Sequence, residues 1–141
     1  GLKNGTSYTF TVQARNGHTG GEGPVARSNS WTPFTAPAKP KAMPRPYTCP
    51  KDGPSCSITY DVEVVNDGGK PIEKVEYRIT AEDGWSGGWG ELDVSSGRGA
   101  FTIKEWPMGQ TITVDVRLTN SEGLSTTWYK KVRLDPGASG P

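Results

Sequence analysis

The chain has few of the residues that build reactive or metal-binding sites. Its 141 residues include two cysteines and a single histidine, His18. A structural zinc site needs four ligands, usually cysteine and histidine, so no metal site and no cofactor are predicted. No nucleophile accompanies His18, and neither a nucleophile elbow nor a phosphate-binding loop occurs. We therefore predict no catalytic residues and do not expect an enzyme.

The chain also lacks a strong charge bias and long apolar runs. Its formal net charge is +1, with 22% charged residues spread along it, whereas nucleic-acid binding needs a clustered basic face. No apolar run approaches the roughly 20 residues of a membrane span, so neither nucleic acid nor direct membrane insertion is expected. The 19 glycines and 12 prolines instead predict short strands joined by many turns.

The two cysteines, Cys49 and Cys56, bracket a turn rich in proline and glycine. This spacing favours a local disulfide, because a redox pair would favour Cys-x-x-Cys and a metal site would need more ligands. A structural disulfide requires an oxidising compartment. The pair therefore predicts a secreted or cell-surface location.

A strand pattern occurs twice in the chain. Placing Gly5 on Gly109 also pairs Tyr8 with Ile112, and in both copies apolar residues alternate with polar ones. Alternation of this kind is typical of a strand with one buried and one exposed face. A period near 100 residues is the size of a β-sandwich domain and exceeds that of solenoid repeats.

Residues 1–33 resemble the F strand, FG loop and G strand of a fibronectin type III domain. The residues that carry the resemblance are Leu2, Asn4, Gly5, Thr6, Tyr8, Phe10, Val12, Ala14, Asn16, Gly23 and Pro24. The resemblance implies an all-β, immunoglobulin-like sandwich. It also implies that Tyr8 is a structural corner, whose hydroxyl bonds to the backbone upstream. The glycine- and threonine-rich composition of this segment is similar to that of bacterial, actinobacterial surface and secreted proteins.

Residues 46–136 resemble a whole domain of the same family, with three departures. Tyr60 stands where the family usually has tryptophan, Ile112 replaces the corner tyrosine, and the segment 82–99 is unusually rich in glycine and tryptophan. Residues 1–33 are too few for a core and are expected to be the final hairpin of a truncated neighbouring module, whose other strands lie upstream.

The segments outside these two units are interpreted as linkers. Residues 34–45 are proline-rich, which favours an extended, semi-rigid spacer. Pro37 and Pro40 also have the Pro-x-x-Pro spacing of peptide ligands, although the linker interpretation is preferred. Residues 137–141 are interpreted as the next linker.

Three functions remain open at this point. The first is a non-catalytic spacer in a multidomain extracellular protein, whose partners are neighbouring domains of the same polypeptide. The second is an adhesion module that binds a protein or polysaccharide ligand through exposed Trp85 and Trp89, because tryptophan on a glycine-rich loop can offer a flat stacking surface. The third is an accessory module of a secreted polysaccharide hydrolase.

Overall fold

The computed structural model describes residues 1–17 and 20–141, so His18 is outside the described residues. The described residues form strands and no helix, which confirms the all-β class. The strands are β1 Thr11–Arg15, β2 Glu22–Arg27, β3 Lys41–Pro44, β4 Tyr47–Thr48, β5 Ser55–Glu63, β6 Ile72–Ala81, β7 Gly90–Glu91, β8 Arg98–Pro107, β9 Thr111–Asn120, β10 Ser125–Arg133 and β11 Ser139–Gly140.

Strands β3 to β11 form one unit with two main sheets, called the two-sheet unit below, in which β4 and β11 pair separately as a short two-stranded sheet. One sheet has the order β3-β5-β8 and the other β10-β9-β6-β7, and all of the neighbours pair antiparallel. The apolar face of β9 is completely buried: Ile112, Val114, Val116 and Leu118 are each 0% exposed. The alternation in the sequence produces this face directly, because successive side chains of a strand point to opposite sides. The arrangement is consistent with a β-sandwich.

Aromatic side chains join the two sheets in the core. The ring of Tyr77 from β6 stacks on Phe101 from β8 with 4.3 Å between centroids, and Tyr60 from β5 lies 5.5 Å from the same ring. Trp106, at the end of β8, is 0% exposed and stacks on Tyr60 at 6.3 Å. Burial, with a smaller contribution from Tyr47, raises the pKa of Tyr60 to about 12.

A bulge interrupts the pairing of β5 with β8. Cys56 faces Trp106 and Ile58 faces Ile103, so two residues of β8, Lys104 and Glu105, lie opposite one residue of β5. A bulge of this kind bends the strand and redirects its side chains. It allows both Ile103 and Trp106 to face the core although they are three positions apart.

The structure joins Cys49 and Cys56 in a disulfide, as predicted. The bridge lies where the end of the chain returns to the two-sheet unit. There the Cys49 N–H donates to the Ala138 carbonyl at 2.7 Å, and the Gly137 N–H donates to the Pro50 carbonyl at 3.0 Å. Both cysteines belong to the buried core.

Removing this disulfide is expected to lower the free energy of unfolding by about 2 kcal/mol, because the closed loop is short and constrains the unfolded chain only modestly. Urea unfolding of the native protein and of the Cys49→Ser/Cys56→Ser double variant measures the difference. A reducing agent should destabilise the native protein and leave the double variant unchanged. Two titratable thiols in the denatured, unreduced native protein would contradict the disulfide.

The segments predicted as linkers are more ordered than expected. Within 34–45, Lys41–Pro44 forms strand β3 at the edge of its sheet, and within 137–141, Ser139–Gly140 pairs with β4. Proline is tolerated at a sheet edge, where its missing N–H leaves no ladder bond unmade. Pro37 and Pro40 are buried, so neither is accessible to an external groove that recognises Pro-x-x-Pro.

The first 33 residues form a separate hairpin. Strand β1 pairs with β2, and an isolated bridge joins Tyr8 to Trp31. Its apolar residues stay largely in solvent: Phe10 is 47% exposed and Val12 is 70% exposed. The hairpin therefore leaves much of its apolar surface uncovered.

Candidate functional site

Tyr8, the predicted corner tyrosine, bonds to the backbone five residues upstream. Its hydroxyl accepts a hydrogen bond from the Lys3 N–H at 2.9 Å, which is the bond that a tyrosine corner requires. Ile112, which the sequence alignment pairs with Tyr8, has no hydroxyl and is completely buried in the core. The two residues therefore differ in role: Tyr8 makes a local hydrogen bond, and Ile112 packs in the core.

Trp89 packs against charged side chains on the outer face of the four-stranded sheet. The guanidinium carbons of Arg78 and Arg117 lie 4.3 and 4.0 Å from the centre of its ring. Arg78 also pairs with Asp115 at 3.3 Å, and Arg117 with Glu76 at 2.9 Å. The indole is half-buried. Its position is explained by these cation–π contacts without any ligand.

Trp85 occupies a different environment, although only three residues separate it from Trp89. Its side chain is 47% exposed, and no ring contact involving it occurs in residues 1–17 and 20–141. Its backbone is held firmly: the Trp85 N–H donates to the Asp83 carboxylate at 2.9 Å, and its carbonyl accepts from the Ala81 N–H at 2.8 Å. The structure does not bring the two predicted ligand-contact residues into one surface.

Trp85 lines two grooves. The first, of about 370 Å³, is lined by Trp85, Gly87, Gly88, Tyr77, Ile79 and residues 102–105 of β8. The second, of about 510 Å³, is lined by Trp85, Asp83, Glu105, Pro54, Ser55, Pro107 and Gln110. Trp85 and Glu105 line both grooves.

A second feature joins the N-terminal hairpin to the two-sheet unit, and we call it the joint. Its centre is the glycine pair Gly68 and Gly69 in the loop between β5 and β6. A Cβ on Gly68 would clash with the Thr35 carbonyl and lie 2.7 Å from that of Ala36. A Cβ on Gly69 would lie 2.6 Å from the backbone nitrogen of Gly5. Both glycines have positive φ, +76° and +97°, which side chains rarely adopt.

Hydrogen bonds hold the segment between β2 and β3, which we call the connecting segment, against the same end of the two-sheet unit. The Thr35 N–H donates to the Gly68 carbonyl at 2.9 Å, and the Thr126 hydroxyl donates to the Pro37 carbonyl at 2.6 Å. The buried Asn120 side chain donates to the Thr35 carbonyl at 3.2 Å. These bonds replace the solvation that the backbone of a free linker would keep.

The sequence analysis singled out neither Gly68 nor Gly69, and so missed the joint. The two consecutive glycines were the available signal, because such a pair permits close backbone approach as well as a turn. Elsewhere in the described chain, no group of three or more His, Cys, Asp or Glu residues could hold a metal ion. Residues 1–17 and 20–141 also contain no helix long and apolar enough to cross a membrane.

No protein-family model matches this chain, and no curated protein matches its sequence.

Proposed function

We propose that this chain is a non-catalytic spacer from a multidomain secreted or cell-surface protein, built from tandem modules of the fibronectin type III kind. In this proposal its partners are the neighbouring domains of the same polypeptide. The spacer holds them at a defined distance and orientation.

The strand orders support the family part of this proposal. The order β3-β5-β8 against β10-β9-β6-β7 corresponds to strands A-B-E against G-F-C-C′, with the hairpin β1–β2 as the F and G strands of a preceding module. The disulfide supports an oxidising compartment outside the cytoplasm.

The joint is the observation that carries the spacer function. A flexible connection would leave its backbone in solvent. Here the backbone of Gly68 packs closely against the connecting segment, and the backbone of Gly69 packs closely against the turn at Gly5. A cation–π contact adds to it, with the Lys70 ammonium 5.1 Å from the centre of the Phe34 ring. Backbone contacts of this kind favour one relative orientation, as a structural spacer needs.

Gly69→Ala is expected to release the hairpin from the two-sheet unit, because the added methyl group would lie 2.6 Å from the Gly5 nitrogen. Backbone ¹⁵N relaxation of the 141-residue chain is the measurement. In the native protein, the amides of β1–β2 and of β5–β9 should report one common rotational correlation time. In the variant, the hairpin amides should report a clearly shorter one.

Gly53→Ala is the matched control. Gly53 also has a positive φ, +109°, but a Cβ there meets nothing within 4 Å. This variant carries similar backbone strain and should keep the common correlation time. The proposal fails if the hairpin of the native protein tumbles independently, or if the two variants behave alike.

A further inference from the structure

We propose that the two grooves lined by Trp85 form a binding site for a neutral, hydroxyl-rich saccharide chain. The Trp85 indole would stack on the apolar face of a sugar ring, and Glu105, Lys104 and Gln110 would hydrogen-bond the ring hydroxyls. This is a binding activity beyond the spacer function, and it does not depend on the joint.

The tryptophan is preorganised for such a contact. Besides the two bonds to Asp83 and Ala81, the turn that carries it is closed by the Gly87 N–H on the Ile79 carbonyl at 3.2 Å and by the Gly88 N–H on the Ser86 hydroxyl at 3.2 Å. A half-exposed indole carried on a hydrogen-bonded turn needs little backbone ordering when a ligand arrives. Preorganisation of this kind lowers the entropic cost of binding.

The polar groups beside the indole are available. Glu105, Lys104 and Gln110 make no side-chain hydrogen bond or ion pair within the described residues, although charged side chains elsewhere on this unit form close pairs. The bulge in β8 places Lys104 and Glu105 together at the groove, and bulges often redirect side chains next to functional sites. A carboxylate, an ammonium and an amide together offer the donors and acceptors that sugar hydroxyls require.

The composition of the grooves favours a saccharide over a peptide or an anion. A peptide could add as a strand to the free edge of β8, but Lys104 and Glu105 are the kind of charged residues that protect an edge from such pairing. The charges of Asp83, Lys104 and Glu105 give the grooves no positive excess to attract an anion. An indole beside hydrogen-bond donors and acceptors instead matches a ligand with apolar ring faces and neutral hydroxyl edges.

Intrinsic fluorescence and isothermal calorimetry with three soluble hexaoses, of β-1,4-linked glucose, xylose and N-acetylglucosamine, test the proposal. We expect saturable binding of at least one hexaose. Trp85→Ala should weaken its binding at least about tenfold, the scale of losing one buried aromatic contact. Glu105→Gln, which keeps the shape but removes the charge, should weaken it by roughly threefold or more.

Trp89→Ala is the matched control, because Trp89 lies on the same loop but contacts Arg78 and Arg117 instead of the grooves. This variant should bind the hexaose within about twofold of the native protein. Near-ultraviolet circular dichroism of the core aromatic residues establishes that each variant is folded. The proposal is overturned if no hexaose binds, if Trp85→Ala binds as tightly as the native protein, or if Trp89→Ala loses binding equally.

Discussion

Trp106→Ala is expected to lower the free energy of unfolding by about 3 to 5 kcal/mol, the range for deleting a large buried aromatic side chain. Trp106 is 0% exposed, faces Cys56 across the sheet and stacks on Tyr60 at 6.3 Å. Its indole N–H has no hydrogen-bond partner among the described residues. The loss therefore comes from packing and from the cavity left behind, since no hydrogen bond is broken. Urea unfolding monitored by far-ultraviolet circular dichroism measures it.

Trp106→Phe separates packing from the indole N–H. Phenylalanine keeps an aromatic ring against Tyr60 and removes a buried donor that has no partner, so we expect a much smaller loss, below about 2 kcal/mol. Trp85→Ala is the exposed counterpart and should change stability by less than about 1 kcal/mol. If Trp106→Ala and Trp85→Ala lowered the free energy of unfolding by equally small amounts, the packing of Trp106 would not make the large contribution expected from its burial.

The strands of the two-sheet unit could be predicted because their signal is local. In β9 every second residue is apolar, and those residues, Ile112, Val114, Val116 and Leu118, are the fully buried face. The disulfide was predictable for a similar reason, because only seven positions separate Cys49 from Cys56 and the turn between them is rich in proline and glycine. In both cases the residues that decide the outcome are close together in the sequence.

The connection between the two units could not be predicted in the same way. Its proline content indicated an extended spacer, and the extended conformation itself is compatible with strand β3. Whether the segment is free or docked depends on Gly68, Asn120 and Thr126, which are distant from it along the chain. The amino-acid composition of such a segment predicts its conformation but not the surface of the protein that it packs against.

The different environments of Trp85 and Trp89 could not be predicted from the sequence either. Locally, Trp85 and Trp89 have nearly equivalent neighbours, since both are followed by serine or glycine in a glycine-rich stretch. The structure distinguishes them through Arg78 and Arg117, which contact the ring of Trp89, whereas Trp85 lines the two grooves. A long-range pairing of β6 with β9 brings those two arginines together, and no local pattern reports it.

Asn120→Ala is expected to lower the free energy of unfolding by about 2 to 3 kcal/mol, because one buried side chain satisfies three backbone groups. Its carbonyl oxygen accepts from the Glu122 and Leu124 N–H groups, each at 3.0 Å, and its amide donates to the Thr35 carbonyl at 3.2 Å. Asn120 is 0% exposed, so water cannot easily replace these bonds. Urea unfolding measures the loss, and the amide exchange rates of Glu122 and Leu124 should rise.

Asn120 has two roles: it shapes the turn between β9 and β10, and it docks the connecting segment. Thr126→Val separates these roles, because Thr126 takes part only in the docking. The substitution preserves the shape of Thr126 and removes only its bond to the Pro37 carbonyl. It should cost about 1 kcal/mol and leave the exchange of Glu122 and Leu124 unchanged. If Asn120→Ala were no more destabilising than Thr126→Val, the turn would form without the asparagine. Asn120 would then act only on the docking of the connecting segment.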